Sequence, residues 1–168
     1  MVTRRHLVCA ALILTIFVVD QLTKLWVLGL LEANSFRPIE VTSFFNLVLV
    51  INTGVSFGMF SGSGNEAHWL LILLPGLVVV WLGFWLWRAD NWLLALGLAS
   101  IMGGALGNII DRTYRPGVID FFDFHVAGWH FWAFNIADSA ISVGVALILI
   151  DALFGGDRTK ADNDKATG

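Results

Sequence analysis

The sequence predicts an all-α integral membrane protein: four transmembrane helices with a small extracytoplasmic β-sheet between the first two spans. Three observations carry this reading. Of 168 residues, 57% are hydrophobic and only 14% charged, and the mean hydropathy is +0.77. Soluble domains hold about 45–50% apolar residues with glycine counted, and about 25% charged ones; here 17 glycines stand outside the 57%. Four runs approach the roughly 20 residues that a helix needs to cross the hydrocarbon core. One further apolar stretch, Phe44–Phe60, is rich in Val, Ile, Phe and Asn and contains Gly54 and Gly58. That composition favours short strands over a helix.

The first span is placed at about residues 7–31. Arg4 and Arg5 precede the apolar run Leu7–Val19, as in a signal peptide, but no small-x-small cleavage site follows. The chain continues Asp20-Gln21-Leu22-Thr23-Lys24 and is apolar again to Leu31, so the segment reads as one uncleaved span. Residues 32–68 form an outer β-rich segment, with Ser61-Gly62-Ser63-Gly64-Asn65 as a flexible loop. The second span, 69–87, carries no charge, and the third, 92–110, has Asn108 as its one strongly polar residue. The fourth, 131–150, is interrupted by Asn135 and Asp138. Trp69, Trp87, Trp92, Trp129 and Trp132 sit near span ends, where interfacial aromatic belts form. The tail, 152–168, is polar and expected to be disordered. The whole chain, 1–168, reads as one membrane domain.

Basic residues set the orientation. Arg4, Arg5, Arg88, Arg158, Lys160 and Lys165 fall on one side, and Arg37, Arg112 and Arg115 on the other. Both termini are therefore expected to be cytoplasmic. The net charge is −3 and there is no basic run, which argues against nucleic acid as a partner. The single cysteine, Cys9, cannot form an internal disulfide and reads as a small buried side chain. Asp123, His125 and His130 match no defined metal-ligand spacing, and no Walker loop, Gly-x-Ser-x-Gly elbow or Cys-x-x-Cys is present. The expectation is an activity without metal or organic cofactor.

Polar residues inside spans are costly and mark function. Asp20 lies 15 residues past Arg5, roughly 22 Å from the inner surface at the rise of a helix. Asn108 lies at a similar depth in the third span, and Asp138 is seven residues into the fourth from the opposite end. Asp20, Lys24, Asn108, Asp111, Arg112, Asn135 and Asp138 thus gather in the outer third of the bilayer, beside Asp120 and Asp123 of the third outer loop. Asp138 and either Asp120 or Asp123 form a candidate carboxyl pair. Two such groups in an apolar site share one proton, because both cannot ionise cheaply at close range. The ionised member activates water and the protonated member donates to a carbonyl oxygen, the chemistry of aspartic peptide hydrolysis. Asp111 and Arg112 read as a structural ion pair. Asp20 and Lys24 are four apart on one helix face, with ties to other spans expected. Asn52-Thr53-Gly54 reads as a turn where backbone approaches substrate closely. An ion-coupled transporter would spread polar groups over several depths or show repeats. A non-enzymatic scaffold would tolerate Asp→Asn changes.

Five blocks, in order, resemble the lipoprotein signal peptidase (signal peptidase II) family. They are Asp20-Gln21-Leu22-Thr23-Lys24, Asn52-Thr53-Gly54-Val55-Ser56-Phe57-Gly58, Gly104 through Arg112, Val118-Ile119-Asp120-Phe121, and Phe134-Asn135-Ile136-Ala137-Asp138-Ser139. The resemblance spans about residues 7–151. It implies an aspartic endopeptidase of the bacterial cytoplasmic (inner) membrane. Such an enzyme removes the signal peptide from diacylglyceryl-modified prolipoproteins, cutting just before the lipidated cysteine. It implies that Asp120 and Asp138 are catalytic, selecting Asp120 over Asp123. It also implies supporting roles for Asp20, Lys24, Asn52, Gly54, Asn108, Asp111, Arg112 and Asn135. Asn108 and Asn135 are expected to orient the pair through their amides. Phe44–Phe60 falls where the family has a small sheet and a mobile helix over the site. Membrane lipid and globomycin-type peptide inhibitors are the other implied partners, and one four-span bundle suffices as a monomer. Val55-Ser56 departs from the Ala-Ala common in the second block. No role is carried onto residues 122–131.

Overall fold

The computed structural model describes residues 2–54 and 65–166. Its elements are helix α1 (Arg4–Ala33), strands β1 (Ile39–Thr42) and β2 (Phe45–Asn52), helices α2 (Asn65–Arg88) and α3 (Trp92–Tyr114), strands β3 (Val118–Val126) and β4 (Trp129–His130), and helix α4 (Ile136–Ala166). All four helices are long and apolar enough to cross a membrane. The Val55–Gly58 part of the second block, the mobile helix implied up to Phe60 and residues 61–64 of the expected Ser61–Asn65 loop lie outside the described residues, while Asn65 already belongs to α2.

Helix α3 is the hub. Half of its apolar stretch is buried, against about a tenth for each of the others. Small residues make this possible, since helices approach closely where side chains are absent. A Cβ at Gly97 would lie 2.9 Å from the carbonyl oxygen of Gly144 in α4, and one at Gly104 would strike the carbonyl oxygen of Ala137. The α2–α3 connection is short, so the two helices run antiparallel. Asn91 fixes the start of α3, its side chain accepting from the Leu94 N–H at 2.8 Å. Pro75 sits within α2, a placement that membrane helices tolerate.

Two apolar clusters bracket the polar groups along α1. Cys9 packs with Leu82, Leu86, Ala95, Leu98 and Ala99 towards one end. Val27 and Leu31 pack with Leu47, Ile119 and Phe121 towards the other, seating the sheet on α1. Asp20 and Lys24 fall between.

The sheet differs from the sequence expectation in its make-up. It has four antiparallel strands in the order β1-β2-β3-β4. Only β1 and β2 come from the segment between the first two spans; β3 and β4 come from the connection between α3 and α4. The physical reason is the exposed edge of β2, since a lone two-stranded hairpin is marginal in water. The run Val118–Val126 is β-branched and aromatic and completes it, with Val50 opposite Asp120 and Phe45 opposite Phe124.

The fourth helix also starts later than expected, at Ile136 instead of residue 131. Phe131 and Phe134 are tied to β3 by backbone bonds, Phe131 N to Phe124 O at 2.7 Å and Phe122 N to Phe134 O at 2.9 Å. Asn135 then caps the helix reciprocally with Asp138. The Asp138 N–H donates to Asn135 Oδ1 at 2.9 Å, and the Asn135 N–H donates to Asp138 Oδ2 at 3.2 Å. At its far end α4 continues to Ala166, where the sequence reading placed a disordered tail. Residues 157–166 contain no glycine or proline to stop it.

Candidate active site

The site grows out of a buried ionic knot. Lys24 is fully buried, and its Nζ lies 2.8 Å from Asp20 Oδ2, 2.7 Å from Asp111 Oδ2 and 3.3 Å from Asn108 Oδ1. Its three donors are thereby used. Asp20 Oδ1 accepts the Ala137 N–H at 2.9 Å, linking α1 to the first turn of α4. Arg115 Nη1 lies 2.7 Å from Asp111 Oδ1. Two carboxylates thus face two cations, the condition under which buried charge is tolerated.

The Asp111–Arg112 ion pair expected from sequence is corrected here: Asp111 pairs with Lys24 and Arg115 instead. Adjacent residues on a helix project about 100° apart, whereas Arg115 is one turn on, on the same face. Arg112 lies within electrostatic reach of Asp120, Asp138 and, less strongly, Asp111, with no ion pair to any of them. Its Nε is buried without a hydrogen-bond partner among the described residues.

Asp120 is brought in by β3 and is 1% exposed. Asn135 Nδ2 donates to its Oδ1 at 2.7 Å, and Asn52 Nδ2 donates to its Oδ2 at 3.0 Å. Burial pushes its carboxyl up to about 6; the Asn52 bond opposes this, and the charge of Asp138 adds to it. Asp138, half-buried, accepts from Asn108 Nδ2 at 2.8 Å through Oδ1. Asn135 Nδ2 also reaches Asn108 Oδ1 at 3.2 Å. One continuous chain therefore runs Asp138–Asn108–Asn135–Asp120 and joins the two carboxyls through two amides.

Asn52 and Gly54 form a small turn beside Asp120. The Gly54 N–H donates to Asn52 Oδ1 at 3.0 Å, and Gly54 has φ +70°. A side chain there would be strained and would meet Leu71 Cδ1 at 3.0 Å.

Asp123 is separated from this constellation by strand geometry. Residues three apart on a strand face opposite sides. Asp123 is held by His130 Nδ1 at 2.8 Å and Asn46 Nδ2 at 3.0 Å. Burial pushes its carboxyl up, but the bonds from His130 and Asn46 outweigh this and hold it below the usual range. Among the described residues, no group of three or more His, Cys, Asp or Glu side chains is placed to hold a metal ion.

All ten residues singled out from the sequence as catalytic or supporting thus lie in one connected region. Two contributors were missed. Arg115 counter-charges Asp111, and Gln21 donates to Asp20, Asp111 and the Gly107 carbonyl. The spacing Asp111–Arg115, four apart on a helix, was the available signal for the first.

The family model described as signal peptidase (SPase) II matches residues 12–154. The chain is 41% identical over 135 residues to a lipoprotein signal peptidase of Beijerinckia indica, covering 80% of this chain and 81% of that one. It is 43% identical over 153 residues to a lipoprotein signal peptidase of Caulobacter vibrioides, covering 90% and 89%. In structure it is similar to a bacterial membrane enzyme solved by the in meso method at 1.9 Å resolution, with TM-score 0.72, 28% identity and coverage of 88% and 93%.

Proposed function

The chain belongs to the signal peptidase II family, and on that premise we propose that Asp120 and Asp138 are its catalytic dyad. The family's activity, removal of signal peptides from prolipoproteins, is the activity of this chain. The observation that carries the dyad is the amide chain joining the two carboxyls. Asn108 Nδ2 holds Asp138, Asn135 Nδ2 holds Asp120, and the bond from Asn135 Nδ2 to Asn108 Oδ1 ties the two amides together. The raised carboxyl of Asp120 fits a pair that shares one proton and titrates as a unit.

In the proposed reaction, the ionised carboxyl takes a proton from water as the water oxygen attacks the scissile carbonyl carbon. The protonated carboxyl gives its proton to the carbonyl oxygen. The resulting diol collapses: one of its hydroxyls returns a proton to the now ionised carboxyl, the C–N bond breaks, and the leaving nitrogen takes a proton from the other carboxyl, so the dyad is left with one proton again. Asn108 and Asn135 hold the two carboxyls at fixed separation. Asn52 orients Asp120, and Gly54 leaves room for substrate backbone. The Lys24–Asp20–Asp111 knot fixes α1, α3 and the start of α4 around them.

The substrate is a prolipoprotein carrying diacylglyceryl on the cysteine just after the cut. Its signal helix enters sideways from the membrane. The termini are cytoplasmic, the sheet and dyad lie towards the extracytoplasmic face, the working form is a monomer, and globomycin-type peptides compete for the dyad. The test is cleavage of a diacylglyceryl-modified prolipoprotein by purified protein in detergent, with folding checked for each variant. Asp120→Asn and Asp138→Asn should abolish cleavage while Asp123→Asn retains it. An inactive Asp123→Asn beside an active Asp120→Asn would overturn the assignment.

A further inference from the structure

Beyond Asp120, the outer part of the β3–β4 hairpin has no part in the chemistry above, yet its side chains are sorted by face. Strand alternation puts Phe122, Phe124 and Val126 on the same side of β3 as Asp120. A run of rings extends along that side, with Phe45 and Phe124 centroids 4.8 Å apart, Phe124 and Phe134 5.9 Å, Phe131 and Phe134 6.0 Å, and Trp129 and Phe131 6.3 Å. Beyond the rings lies an open apolar trough of about 470 Å³, lined by Phe44, Phe124, Val126, Trp129, Phe131 and Phe134, with His125 at its side. On the other side, Asp123 is clamped between Asn46 and His130.

The outermost residues are apolar and uncovered. Val126 is 70% exposed, Trp129 66% and Trp132 83%. The tip is a two-residue turn, Ala127-Gly128, with φ +51° and +80°. Such turns ordinarily take Asn, Asp or Gly at the first position, because an alanine there is strained. Here the strained alanine leaves the tip without a polar side chain. The hairpin also leads straight into α4, with only Ala133–Asn135 between Trp132 and the helix, so its base is set at the level where a membrane span begins. Phe134, which lines the trough, stands two residues before the first residue of α4. Trp and Phe on a polar-backed edge are the side chains that settle at the headgroup–acyl boundary.

We propose that the β3–β4 hairpin is an interfacial anchor whose aromatic face, Phe124, Val126, Trp129 and Phe131 with Trp132, inserts into the lipid leaflet on the sheet's side of the membrane. It holds β3, and with it Asp120, at a fixed height over the bilayer. This rests on the membrane-peptidase reading. The occupant is bilayer lipid, not the acyl chains of the substrate.

The test uses the full chain in liposomes, with a nitroxide at Val126→Cys in a Cys9→Ala background and a second at Glu40→Cys on the opposite edge of the sheet. The Val126 label should be accessible to oxygen and shielded from a water-soluble nickel chelate, and the Glu40 label should be open to both. A Val126 label freely open to the chelate would overturn the proposal. Depth is read without catalysis, so it stands apart from any failure of the cleavage assay. In a second arm, Trp129→Glu should lower prolipoprotein cleavage about tenfold in liposomes and less than twofold in detergent micelles. Equal loss in both would mean that the face serves the substrate or the fold, and would also overturn it.

Discussion

Replacing Gly104 with alanine puts a methyl group against the backbone of α4, one residue from Asp138. The added Cβ would collide with the carbonyl oxygen of Ala137 and lie 2.8 Å from Ile141 Cγ1. Carbon atoms settle at about 3.5–4.0 Å, so the start of α4 must move away by about 1 Å. Two stability effects oppose one another: alanine gains about 1 kcal/mol over glycine in a helix, and overpacking costs about 1–3 kcal/mol. The net loss is modest, about 0–2 kcal/mol. The rate suffers far more, since a 1 Å misplacement of a reacting group costs about 10²-fold. Gly97→Ala makes a similar clash, 2.9 Å from Gly144 O and from Ile148 Cγ1. It lies seven residues along α3, about 10 Å from Gly104. Gly76→Ala meets nothing within 4 Å and serves as a control. Initial rates of prolipoprotein cleavage in detergent, with thermal unfolding of each variant, separate these effects. Gly104→Ala should lose about 10²-fold in rate, Gly97→Ala should lose stability with a far smaller loss of rate, and Gly76→Ala should lose neither. A Gly104→Ala enzyme within threefold of wild type, or an equal rate loss in Gly97→Ala, would refute the reasoning.

Lys24→Met strands the two buried carboxylates Asp20 and Asp111 and should cost about 3–5 kcal/mol in unfolding experiments. Adding Asp111→Asn should recover part of that; no recovery would mean that the knot is not held by charge. Asn135→Ala removes both the Asp120 contact and the α4 cap, so cleavage should fall about 10²-fold or more and stability by about 1 kcal/mol. Cleavage left intact would show that the amide chain is dispensable. The carboxyl of Asp120 rises from 3.8 to about 6 on folding, so its contribution to stability is full below its unfolded value and is lost as pH rises through about 6. Between about pH 4 and pH 7, the stability gap between Asp120→Asn and wild type should therefore shift by up to about 3 kcal/mol in favour of the variant. A gap that does not change with pH would contradict the raised carboxyl.

The spans were legible because twenty apolar residues in a row admit few other solutions, and Asp138 stood out because a carboxyl inside such a run is costly without a purpose. What was not legible depended on pairing. Val118–Val126 has the composition of a strand, but the edge of β2 that it covers lies far away in sequence. The later start of α4 followed from the same pairing, since Phe131–Phe134 is apolar enough to be helix until β3 claims its backbone. Arg112 was assigned to Asp111 by adjacency, where a helix's one-turn spacing pointed to Arg115. Asp120 and Asp123 were equal candidates on residue type alone. Strand alternation distinguishes them, because one faces Asn135 and the other faces Asn46 and His130.

The buried lysine also bears on how such a chain is made. α1 is synthesised before α3, so Lys24 enters the membrane with Asp111 not yet beside it. Its partner at that moment is Asp20, one helical turn away on the same segment and 2.8 Å distant in the finished protein. The first helix thus carries its own counter-ion into the bilayer, neutralised over a single turn. The bond to Asp111 forms later, when the third helix arrives with Arg115 to balance it. The knot that steadies the carboxyls in the mature protein is therefore assembled in two stages, and the first of these makes the N-terminal helix insertable.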